Sequence, residues 1–209
     1  MITGATLKAA VLARLELNND ATTITRFLIY ENINAAVRFI LWTFPLPMID
    51  NAIKTVKGNL VAATSAYQWP SDYVRMIKLW VDFTNQITQT NPGYEAVLSL
   101  DNALFVNSLD QRPDPHHPRF DIVEGGFDVR LVPAGSLSNR FRLRYVYLLP
   151  TVSDSQQCLL RADLENAVVL RAVAFSAMID GYRPDLADKF DKMFWQEAQA
   201  FGVKMMEKS

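Results

Sequence analysis

Between Pro118 and Pro150 the chain twice alternates apolar with charged residues, and only a strand turns its side chains to the opposite face at every step. In Phe127-Asp-Val-Arg-Leu131 this period puts Phe127, Val129 and Leu131 on one face and Asp128 and Arg130 on the other. In Arg140-Phe-Arg-Leu-Arg-Tyr-Val-Tyr147, Phe141, Leu143, Tyr145 and Tyr147 face a core, while Arg140, Arg142 and Arg144 face away. Gly125-Gly126 precedes the first run and supplies the positive φ angles of a two-residue hairpin turn. The segment predicts three short antiparallel strands in one small sheet. One face of that sheet is apolar and the other is lined by Arg130, Arg140, Arg142 and Arg144.

The flanks have helical periodicity. Leu7, Ala10, Val11 and Leu15 recur at helical spacing from about Thr6 to Leu17, with Thr3 or Thr6 as cap. So short a helix is marginal alone and needs its own core or a neighbouring subunit to pack on. A second helix runs from Thr23 to Thr43. Its buried stripe is Ile29, Ile33, Val37, Ile40 and Leu41, its polar stripe Glu31, Asn34 and Arg38. Phe44-Pro-Leu-Pro ends it, and Trp42 and Phe44 read as core. Ile53 to Ala63 tolerates strand, with a turn at Gly58-Asn59. Pro70-Ser-Asp is a turn before a strand carrying Ile77, Leu79, Val81 and Phe83. Tyr94 to Leu109 reads as a weak helix, and 112–118 as a proline-punctuated loop. Ala162 to Asp180 is apolar on most sides, including Met178, and such a helix is buried from several directions. Gly181 stops it and Pro184 opens the last helix, which carries Leu186, Phe190, Met193, Phe194, Phe201 and Met205 on one side and Lys204 and Lys208 at its end.

These elements give an α+β fold: a helical bundle of N-terminal helices and a C-terminal antiparallel helix pair, with a small antiparallel β-sheet module. The expected organisation is a single domain over 1–209, helical in 1–50 and 160–209. It is β-rich in 53–83 and 118–150, with a loop-rich insertion at 86–117.

Charge and cysteine content narrow the function. A net charge of −1 argues against a protein that coats DNA, which needs a basic excess. The single cysteine, Cys158, forms no internal disulfide and reads as a small buried residue. No stretch approaches the ~20 apolar residues of a membrane span, so a soluble chain made in a cytoplasm is expected, with no membrane partner.

Motifs for chemistry are sparse. The sequence contains neither a phosphate-binding glycine loop nor a G-x-S-x-G elbow. Adjacent His116 and His117 point opposite ways in an extended loop and make a poor chelate. Asp121, Glu124 and Asp128 on the hairpin are expected in cross-strand ion pairs. Asp185, Asp188 and Asp191 recur every three residues beside Lys189 and Lys192, the pattern of a solvated helix face. Trp69 and Trp80 read as core or interface residues. The expectation is no catalytic residue, no cofactor and no metal. Two other readings stay open: a nucleic-acid-binding module using the arginine face and Trp69, and a hydrolase using the hairpin carboxylates.

The order of the parts matches a family pattern. Trp69-Pro-Ser-Asp-Tyr-Val-Arg75 opens a strand after an aromatic-proline corner. The hairpin from Phe120 to Pro133, the run from Phe141 to Pro150 and two closing helices follow. The arrangement resembles the head-to-tail adaptor (connector) proteins of tailed bacteriophages. That resemblance implies a structural virion protein, assembled in the host cytoplasm, that forms a homo-oligomeric, dodecameric ring beneath the portal protein. Such a ring extends the DNA channel without sequence-specific binding and presents a surface to a downstream tail or nozzle protein. Arg130, Arg140, Arg142 and Arg144 would then bridge subunits or line the channel.

Overall fold

The computed structural model describes residues 2–15, 23–98, 114–131, 133–179 and 183–203. The fold is mixed α+β, with four α-helices and two small four-stranded sheets among these residues. The chain divides into two compact units, one of 1–52 with 147–209 and the other of 53–146.

The first unit is helical. Helix α1 spans Gly4–Arg14 and starts where the Thr3 hydroxyl accepts the Thr6 N–H at 3.2 Å. Just before it, β1 (Ile2–Thr3) pairs antiparallel with β10 (Gln157–Cys158). Helix α2 covers Thr23–Thr43, and Pro45 forbids its continuation. Helix α3, Glu165–Ile179, follows a single 3-10 turn at Ala162–Leu164. It packs against α1, α2 and helix α4, Pro184–Ala200, which begins on Pro184 in its first turn. Leu7, Ile33, Ile40, Leu164, Val173 and Phe194 are wholly enclosed in this core.

Helices α1 and α3 both find their cover inside the chain, without a neighbouring subunit. The narrow stripe of α1 lies on α2 and α3, and the broad apolar surface of α3 is covered from three directions. Four side chains depart from expectation, among them Met193 of α4, which is 40 % exposed. Trp42 is 55 % exposed, on the outward face of α2 that also carries Glu31 and Arg38. Met178 is 67 % exposed at the last turn of α3. Asn34 is half-buried and holds Val152 by both backbone groups, accepting its N–H at 2.8 Å and donating to its carbonyl at 3.1 Å.

Helix α4 stops four residues before Lys204. Gly202, at φ +81°, takes the left-handed position. Its N–H bonds Gln199 O and the Val203 N–H bonds Ala198 O, the paired bonds of a glycine C-cap. Gly181, Lys204, Met205 and Lys208 lie outside the described residues. No helix among the described residues is long and apolar enough to cross a membrane.

The second unit holds both four-stranded sheets. One has the order β2-β9-β4-β5, with β2 Ile53–Leu60, β9 Leu137–Tyr147, β4 Tyr73–Val81 and β5 Tyr94–Glu95. The other has the order β3-β8-β7-β6, with β3 Ala66–Gln68, β8 Gly126–Val129, β7 Arg119–Val123 and β6 Val97–Leu98. An aromatic cluster joins the two inner faces. Phe141 of β9 meets Tyr67 of β3 at 5.6 Å and Phe127 of β8 at 5.7 Å between ring centroids. Trp69 lies flat against Tyr73 at 4.2 Å.

Several expectations for this unit are corrected. The hairpin and the Arg140–Tyr147 strand belong to different sheets, because β8 pairs with β3 and β9 with β2 and β4. Gly58-Asn59 is no turn: β2 runs on through Gly58, where a side chain would collide with the Phe141 ring at 2.0 Å. The hairpin turn is Glu124-Gly125. Gly125 has φ +75°, whereas Gly126 is already in β8 and is glycine because the Tyr67 carbonyl lies 2.1 Å from where a Cβ would sit. Within the predicted helix at 94–109, residues Tyr94–Glu95 and Val97–Leu98 are strands. The rest of that span lies outside the described residues, Ala96 apart.

Candidate interaction face

The alternation of β9 separates its arginines from its aromatics. Leu143 and Tyr145 are buried on the inner face, so Arg140, Arg142 and Arg144 share the outer one. Strand register adds a fourth cation, since Lys57 of β2 stands opposite Arg142, and Thr55 stands opposite Arg144. The Arg142 guanidinium lies 4.2 Å from the centroid of the Trp80 ring, a cation–π stack. The Nε of Arg142 and the Nε and Nη1 of Arg140 are buried and donate to no acceptor. Strands β2 and β9 together carry five basic side chains and no acidic one.

Among the described residues, the acids near this face are committed elsewhere. Glu95 pairs with Lys78 at 2.9 Å. Asp82 is 1 % exposed. Its carboxylate accepts the Thr84 and Asn85 N–H groups, the Thr84 hydroxyl and the Asn91 amide, holding the loop after β4. Burial raises its pKa, but these donors together hold it below the ordinary carboxylate value.

Arg130 does not join the other arginines. It follows β8 in the second sheet and pairs with Asp121, so the face expected to hold four arginines holds three. Asp121 stands directly opposite Asp128, a cross-strand pair of like charges for which Arg130 supplies a counter-cation. Glu124 sits exposed at the turn.

His117 bonds Asp114, which with the His116 N–H lowers that carboxyl to about 2, while the His116 ring lies against Tyr94. Among the described residues no group of three potential ligands is placed to hold a metal. Cys158 is enclosed, and burial pushes its thiol pKa up. Asp185 and Asp188 are exposed, but Asp191 pairs with Arg171, whose guanidinium lies against Phe39 at 4.1 Å and Phe175 at 4.5 Å.

Two features escaped the sequence. Trp80 beneath Arg142 was legible only with the strand order, because the residues come from strands far apart in the chain. The same holds for Asp72, which accepts from Lys54 at 2.6 Å and from the Tyr145 hydroxyl at 2.8 Å. Burial pushes the Asp72 carboxyl up, and those two hydrogen bonds with the Lys54 charge outweigh it and lower its pKa. Burial, then Asp72 itself, raises Tyr145 to about 12.

A cationic face of this kind suits contact with another molecule. No curated protein matches the chain. A family model described as SU10 adaptor protein matches residues 2–206, nearly the whole sequence. The chain therefore belongs to the SU10 adaptor protein family, whose members are phage structural proteins of the head-to-tail adaptor kind.

Proposed function

We propose that this protein assembles into a closed ring of twelve copies beneath the portal, joins the phage head to the tail and extends the DNA channel. The family match over residues 2–206 carries the reading. The two units act as one adaptor subunit. The helices around α3, taken as a bundle closed by an antiparallel α3–α4 pair, form its rigid body, and the sheets supply contacts. It works as a component of the virion, assembled in the host cytoplasm, with the portal on one side and a downstream tail protein on the other. It needs no cofactor and catalyses no reaction. DNA passes without being read, and the near-neutral net charge favours that passage because a strongly basic lining would hold phosphates.

Electron microscopy of the purified chain, alone and mixed with its portal, tests the proposal. An annulus stacked coaxially on the portal is the expected image. Particles that ignore the portal at every concentration would refute it.

A second reading rests on the Arg142–Trp80 stack and on Arg140, Arg142 and Arg144 sharing one strand face. These suit phosphate binding, and the chain would then be a nucleic-acid-binding module. That reading requires salt-sensitive duplex binding by the isolated protein, abolished in an Arg140/Arg142/Arg144 triple alanine variant.

A further inference from the structure

We propose that the outer face of β9 is the socket for the β7–β8 hairpin tip of a second copy of this chain. The inference rests on the ring reading above and names the contact that builds the ring. Three observations carry it.

Among the described residues the socket has no uncommitted carboxylate. Arg140 and Arg142 hold buried guanidinium nitrogens with no acceptor, Arg144 is exposed, and the nearby carboxylates Glu95 and Asp82 are already engaged. Those nitrogens are covered by the chain itself, so an incoming carboxylate would meet the exposed Arg144 guanidinium and the part-exposed side chains of Arg140 and Arg142 in a charge-assisted contact.

The plug has the complementary character. Residues 119–130 carry three acids and two arginines, and Glu124 projects from the turn. Ile122, 57 % exposed, and Val123 flank it. A carboxylate beside two exposed aliphatic side chains fits a surface made of guanidinium groups and an indole ring, with charges paired and apolar area covered together.

The two surfaces lie on opposite sides of one unit. The sheet that bears the hairpin packs on the Phe141 face of β9, through Tyr67 and Phe127, and the arginines leave from the other face. A single copy cannot seat its own hairpin in its own socket. Plug and socket therefore meet head to tail between copies, and a heterologous contact of this sort closes into a ring when its rotation allows.

The test is a charge exchange in the full chain, Glu124→Arg and Arg144→Glu, read by sedimentation velocity alone and with the portal. Both positions are exposed, and circular dichroism checks that each variant stays folded. Each single variant should weaken self-association at least about tenfold, because like charges then meet across the contact. An equimolar mixture of the two variants should assemble again. In it the reversed tip of the Glu124→Arg chain meets the reversed socket of the Arg144→Glu chain, and each native tip meets a native socket. The double variant should assemble by itself for the same reason. A ring that forms in the parent and survives both single exchanges overturns this contact and leaves the ring reading standing. Loss in both singles without recovery in the mixture also overturns it. A parent chain that forms no oligomer, with or without the portal, removes the ring reading and this contact with it.

Discussion

Gly125 and Gly126 are neighbours in sequence and glycine for unrelated reasons, so substituting each separates two kinds of cost. At Gly125 the backbone is left-handed, with φ +75°, and a Cβ would meet nothing within 4 Å. Gly125→Ala should therefore cost only the conformational penalty, about 1–2 kcal/mol. Gly125→Asn should cost a few tenths, roughly, because asparagine tolerates that region. At Gly126 the conformation suits any residue, but a Cβ would lie 2.1 Å from the Tyr67 carbonyl oxygen, where real Cβ atoms keep beyond 3.0 Å. That oxygen belongs to the backbone of β3, so no side-chain rotation relieves the clash. The β3–β8 ladder must open by about 1 Å, and close packing passes the shift to its neighbours. The stacked Tyr67–Phe127 pair at 5.5 Å and the Trp69 N–H to Gly125 carbonyl bond at 3.0 Å are the contacts at risk. One or two hydrogen bonds at about 1 kcal/mol each and an aromatic contact of about 1 kcal/mol sum to roughly 2–3 kcal/mol. The unfolded chain's loss of freedom returns about 0.5–1 kcal/mol. Gly126→Ala should thus destabilise by about 2 kcal/mol and Gly126→Asn by at least as much. Urea unfolding followed by tryptophan fluorescence reads both series, provided the slope m is unchanged. Equal tolerance of asparagine at the two positions would show that the Tyr67 carbonyl does not dictate glycine at Gly126.

Two further outcomes follow from the interior. Arg171→Ala should cost about 2–4 kcal/mol, since it removes the Asp191 partner and the stacking on Phe39 and Phe175; a double-mutant cycle with Asp191→Ala should show coupling near ~1 kcal/mol, and additive losses would mean that the ion pair contributes nothing. Asp72 is held below its ordinary pKa, so its contribution is present above the unfolded value of about 4 and fades as pH falls through the folded one. Asp72→Asn should flatten the acid limb of a stability–pH curve, and an unchanged acid limb would show that the Lys54 and Tyr145 hydrogen bonds do not set it.

Local signals were legible wherever one residue decides the outcome. Pro45 ends α2 directly after the expected Thr43, Pro184 opens α4, and the two-residue period of β9 assigns its aromatics and arginines to opposite faces. What the chain order hid was partnership between strands. Three alternating segments close together in sequence suggest one sheet, yet β8 takes β3 as neighbour and β9 takes β2 and β4. Hydrophobic period fixes which way a side chain points and says nothing about which strand lies alongside. Arg130 leaves the group of arginines for that reason. Glycines mislead similarly: Gly58 and Gly126 mark close approaches of Phe141 and Tyr67, which depend on residues distant in the chain. Asp191 has the spacing of a solvated residue, but its partner Arg171 lies on another helix.

The β unit leaves the helical unit at Ile53 and returns at Val146, and these two residues stand opposite each other in the β2–β9 ladder. Its two ends are thus neighbours, so it is a closed module threaded between the halves of another. During synthesis α1 and α2 emerge well before α3, the helix they pack on, which the ribosome makes only after the whole inserted module. The sheets can mature first, while the early helices wait with their apolar stripes uncovered. That exposed interval is the period in which a nascent chain is most open to chaperones or to aggregation.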